Sequence, residues 1–179
     1  MQITFPHLET LRRLGFTTLA GSLAWGWISA WPQKSFEILA GSSAQLVGWF
    51  SGSPVVGEPS GWLLAGTSVP IAVTEACSAK DFYLMVTLLL AWHATARPSN
   101  TLSIFGRVGA ALLLALPLTI ATNTLRILAV SQAHRWVIPQ FPDVYDPILH
   151  MATGAAVFLP ILIGLNLAFE SHARTHISS

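Results

Sequence analysis

A thiol, a guanidinium and an imidazole stand in this chain at places suited to acyl transfer. Cys77 is the only cysteine. It lies in TEACSAKDFY, Thr74 to Tyr83, just before a long apolar run. A thiolate is a strong nucleophile, and a position ahead of a helix offers amide groups that favour the anion. Arg126, set in NTLRILAV, is always charged. Beside a bilayer that charge is costly, so it implies a paired or forming anion, such as a tetrahedral oxyanion. His150 can titrate near neutrality and hand a proton to a leaving amine. Asp146, four residues earlier, would orient the imidazole or cap the helix. His134 is the rival acid–base residue, in a proline-containing loop. Taken singly, each has a plainer role: a small buried hydrophobe, a snorkelling anchor, a wet polar tip. Their convergence is what points to chemistry.

The elements that would position them follow from composition and pattern. The 179 residues are 53% hydrophobic and 9% charged, against about 25% charged in a soluble domain. Mean hydropathy is +0.59. This is the balance of an all-α integral membrane protein. The net charge of +1 gives no basis for nucleic-acid binding. Neither HExxH nor CxxC spacing occurs, no Gly-rich phosphate loop is present, and neither a metal nor another cofactor is implied.

About four spans are expected, at 14–31, 78–96, 104–125 and 149–169, forming one membrane domain over 1–179. The first is read as an uncleaved anchor over a signal peptide, the rival that its basic start and apolar core allow, because it is long and ends in Trp25, Trp27 and Trp31. The segments 32–77 and 126–148 then lie outside the cytoplasm. The first of these holds an interfacial helix at Phe36 to Phe50, a Gly/Pro/Ser loop at Ser51 to Gly61, and a possible short β-hairpin at Trp62 to Thr74. Arg12, Arg13, Arg97, Arg107 and Arg174 fall on the cytoplasmic side; Lys34, Lys80, Arg126 and Arg135 fall outside. Because spans alternate in direction, Cys77 before the second, Arg126 after the third and His150 opening the fourth share one membrane face.

With those residues in place, the pattern resembles the exosortase/archaeosortase family of multi-pass membrane cysteine transpeptidases. The resemblance rests on EACS (Glu75 to Ser78), NTLR (Asn123 to Arg126) and HMATG (His150 to Gly154). Family members usually follow the cysteine closely with glycine, as in CSG; here the run is CSAKD. The resemblance implies an enzyme of the cytoplasmic membrane with its active site on the extracytoplasmic side. It would cut C-terminal sorting signals of exported proteins, built as a short motif, an apolar helix and a basic tail. Cys77 would form the thioester, Arg126 would stabilise the oxyanion or the thiolate, His150 would protonate the leaving amine, and Asn123 would support them. Two other readings use the same residues differently. A membrane scaffold or assembly subunit would need no reactive thiol, and a small transporter would use Arg126 and His150 for an anion or proton path.

Overall fold

The computed structural model describes residues 6–65, 70–96, 101–137, 139–140 and 146–175. It is mostly helical. The order is α1 (Pro6–Ala30), α2 (Pro32–Phe36), a π-turn (Glu37–Gly41), α3 (Ser42–Ser51), β1 (Val55–Glu58), β2 (Gly61–Leu64) and β3 (Ile71–Val73). A 3₁₀ turn (Glu75–Cys77), α4 (Lys80–Ala94), α5 (Thr101–Val137) and α6 (Asp146–Thr175) complete it. Among the described residues, two helices are long and apolar enough to cross a membrane, at Leu102–Val137 and Ile148–Ser171. Of the other two expected spans, α1 is long enough but diluted by threonine, serine and glycine. The fifteen residues of α4 reach only about 22 Å, short of a hydrocarbon core of about 30 Å.

The chain forms two compact units, one of residues 1–32 and 80–118, the other of 33–79 and 119–179. In the first, α1 and α4 run antiparallel. Leu88 fills the space beside Gly21, and the Trp27 and Tyr83 rings meet edge to face at 5.4 Å. Two arginines gather at the carboxyl end of α4. Arg13 lies 4.0 Å over the Trp92 ring and donates to the Trp92 carbonyl, and Arg107 donates to that of Ala94. Both cations answer the carbonyls that a helix end leaves without partners.

The second unit positions the candidate site. Residues 32–51 form one helical segment whose Phe36, Ala40, Ala44 and Val47 recur at helical spacing and face a common core. A three-stranded antiparallel sheet in the order β1-β2-β3 covers that face. Its register pairs Val55 with Leu64, Trp62 with Val73 and Leu64 with Ile71, so these alternating apolar residues share one side. Leu64 and Val73 are fully buried there, and Val55, Trp62 and Ile71 pack at the rim. Gly52 ends α3 in the left-handed region, at φ +66, which turns the chain into β1.

Several boundaries differ from the sequence expectation, each for a physical reason. Residues 55–58 were expected as loop, but pairing with β2 overrides the local Gly/Pro signal. A β2–β3 hairpin is present, inside a sheet one strand larger than expected. The helix expected at 104–125 is longer, and the loop expected around His134 is helical at its start: α5 runs from Thr101 to Val137. No proline or glycine interrupts 126–137, and Ile127 and Val130 continue the buried face. At about 1.5 Å per residue α5 reaches about 55 Å, well beyond a bilayer core. The helix expected at 149–169 is longer as well: α6 opens at Asp146, with Pro147 next, the position where proline suits a helix start.

Candidate functional site

Cys77 ends the 3₁₀ turn that follows β3, so the sheet delivers the thiol. Its residue is 5% exposed and belongs to the apolar cluster of Phe36, Ala44, Val47, Leu64, Val73 and Ile127. The amide cradle expected for its sulfur is not formed by the nearest amides. The Cys77 N–H donates to the Thr74 carbonyl at 2.9 Å and the Ser78 N–H to that of Glu75 at 3.0 Å. Both donors are spent inside the turn.

Arg126 and His134 face the site from α5, and His150 faces it from α6. Arg126, Val130 and His134 are spaced i, i+4, i+8, as are His150, Gly154 and Phe158, so each trio lies along one helix face. The two faces meet in antiparallel register. The His134 and His150 rings stand 5.9 Å apart, near perpendicular. The Arg126 guanidinium lies 5.5 Å over the Phe158 ring. It also reaches the Ala76 carbonyl with Nη1 at 3.4 Å, a long contact. Its Nε is buried with no acceptor among the described residues. Gly154 makes this placement possible: a Cβ there would stand 3.1 Å from Nε.

One cavity of about 300 Å³ gathers these groups. Cys77, Arg126, His134, Arg135 and His150 all line it, with apolar walls from Val47, Ile71, Ile127 and Val130. Among the described residues the lining contains two arginines and two histidines and no carboxylate. Such a wall suits a developing oxyanion better than a cationic group.

Asn123, fully buried, lies one helical turn before Arg126 and donates to the Cys77 carbonyl at 2.6 Å. His134 corrects an expectation: it stands on α5, not in a loop, so it is held as firmly as His150. Arg126 likewise sits inside a helix, about three turns before its end. Asp146 opens α6, but its side chain falls outside the described residues. Ser43 and Phe158 were not singled out from sequence, and Gly154 was read only as the end of the HMATG motif. Gly154 and Phe158 were legible as the face that His150 begins. Ser43 gave no local signal, because its partner toward the site, Asn123, is distant in the chain.

Ala79, two residues after Cys77, adopts φ +52, where the resembled family's CSG run carries glycine. Left-handed backbone costs alanine about 1–2 kcal/mol. Glycine would relieve that, but would give up a buried methyl, about 0.8 kcal/mol, and about 0.4–1 kcal/mol of unfolded-chain entropy. The terms nearly cancel. Ala79→Gly is expected to change stability by less than about 1 kcal/mol, whereas Ala79→Val, β-branched at positive φ, loses about 2 kcal/mol or more. Thermal unfolding in detergent measures both.

No family model, curated protein or solved structure matches the chain.

Proposed function

We propose that this protein is a membrane-embedded cysteine peptidase or transpeptidase that cleaves the C-terminal sorting signal of exported proteins. The observation that carries the reading is the shared cavity of Cys77, Arg126 and His150. In this reading four helices, α1, α4, α5 and α6, cross the cytoplasmic membrane, and the cavity opens on the extracytoplasmic side. The exposed Trp49 and Phe50 suit a membrane–water boundary.

The chemistry runs in two halves. The Cys77 thiol yields its proton to His150, and the sulfur attacks the scissile carbonyl. A C–S bond forms, and the carbonyl π electrons move onto oxygen. Arg126 stabilises that oxyanion with its N–H groups. The intermediate collapses, the C–N bond breaks, and the leaving amine takes the proton from His150. The resulting thioester is then attacked by an acceptor amine or by water, and the thiol is regenerated. A sorting signal built as motif, apolar helix and basic tail would hold its scissile bond just outside the membrane, at the level of the thiol.

Hydroxylamine tests this without knowledge of the natural acceptor, because it intercepts thioesters. Cells making the protein and given hydroxylamine are expected to accumulate exported proteins ending in a C-terminal hydroxamate, detected by mass spectrometry. An equal yield of hydroxamates from cells lacking the protein would overturn the reading.

A further inference from the structure

The cavity accounts for the groups that line it, but not for the polar network buried behind it. Asn123 and Ser43 are both 0% exposed, and neither lines the cavity. Burying an amide is costly unless its hydrogen bonds are made. This amide makes two and leaves Oδ1 without a partner among the described residues. Its retention therefore rests on its two N–H groups.

The direction of each bond can be fixed from chemistry. A backbone carbonyl only accepts, so the Asn123 atom 2.6 Å from the Cys77 oxygen is the nitrogen. The Ser43 hydroxyl donates to the Leu39 carbonyl at 2.6 Å, inside the π-turn, with the Ile120 carbonyl at 3.4 Å as a second acceptor. Its oxygen is then available to accept from Asn123 Nδ2 at 3.1 Å. The chain of donors runs from Asn123 to Ser43 to Leu39, while the other amide hydrogen goes to Cys77. The Cys77 carbonyl is thus tied to α5, and through Ser43 to the π-turn. Arg126, one turn further along α5, reaches the adjacent Ala76 carbonyl. The two peptide groups that flank the Cys77 α-carbon are therefore contacted from a single helix.

We infer that Asn123 is a positioning residue: by donating to the Cys77 carbonyl from the helix that carries Arg126, it fixes the thiol's place in the cavity relative to the guanidinium. This rests on the proposed acyl transfer for its purpose, but not for its test. The contact itself holds the turn that bears the thiol, whatever reaction the thiol serves.

Asn123→Asp is the sharpest variant, since it keeps the shape and replaces the donor by oxygen. As a carboxylate it would face two oxygens with no proton to give. Asn123→Ala removes the group, and Ser43→Ala removes the support while sparing the bond to Cys77. Purified protein in detergent is treated with iodoacetamide across a pH series, and Cys77 is the only thiol to read. Thermal unfolding is recorded beside it, with hydroxamate formation as the activity. The Asn123 variants are expected to alkylate on the order of tenfold faster, because a freed turn exposes a thiol that is now buried, and to form hydroxamate on the order of tenfold more slowly. Ser43→Ala should move both by less. Alkylation unchanged in both Asn123 variants across the pH series, at an unchanged unfolding midpoint, would overturn the inference. So would a fall in alkylation parallel to the fall in activity. If the parent protein forms no hydroxamate, the acyl-transfer reading fails alone, and the alkylation rates still decide the role of Asn123.

Discussion

Cys77→Ala is expected to abolish hydroxamate formation, a loss of at least ~10³-fold, while the protein still inserts and folds. The prediction separates chemistry from packing. The fold holds Cys77 by its backbone, through the N–H to Thr74 and the carbonyl from Asn123, and alanine keeps both bonds. What it loses is a small buried sulfur, at a cost of about 1 kcal/mol. Cys77→Ser keeps even the shape, yet a serine hydroxyl is a weak nucleophile without a strong adjacent base. It is expected to be as inactive as alanine. A scaffold or assembly subunit would tolerate serine, so the same two variants also decide between those readings. Hydroxamate formation at the parent rate in Cys77→Ala, beside a normal unfolding midpoint, would place the nucleophile elsewhere.

How far the sequence could lead to this cavity depends on the range of each interaction. The proposed chemistry was suggested by residue type: one thiol, one arginine in an apolar run, one histidine at a helix start. Their convergence followed from alternating helices, although α5 runs about three turns further than the apolar pattern alone implied. That excess matters, because it lifts His134 out of a supposed loop and onto the face that begins with Arg126. Helical spacing held this information, since residues four and eight apart share a face whatever surrounds them. Ser43 lay beyond such reasoning. Its bond to Asn123 joins residues eighty positions apart, and only the folded path brings them together. Strand β1 was hidden for a related reason: its pairing with β2 outweighs a Gly/Pro-rich composition that by itself signals a turn.

The second large effect is expected at Arg126 and Gly154, which act as a pair. Arg126→Ala should slow hydroxamate formation by about 10²–10³-fold, the usual loss when an oxyanion donor is removed. Arg126→Lys should restore little of it. A lysine ammonium has neither the planar fork to reach the Ala76 carbonyl nor a flat face to lie over Phe158. Gly154 enters because it makes room for the guanidinium. An added methyl would lie 3.1 Å from Arg126 Nε, so Gly154→Ala should displace the group by a few tenths of an ångström. Since a 1 Å misplacement can cost about 10²-fold, that is expected to slow the reaction by about tenfold or less. Gly154→Leu, whose side chain would occupy the guanidinium's place, should approach the Arg126→Ala rate. If glycine matters only through the arginine, the double variant Arg126→Ala/Gly154→Leu should be no slower than Arg126→Ala alone. Additive losses in that cycle, with unfolding midpoints unchanged, would separate the two residues. A fully active Arg126→Lys would remove the oxyanion role and leave the arginine as a packing group.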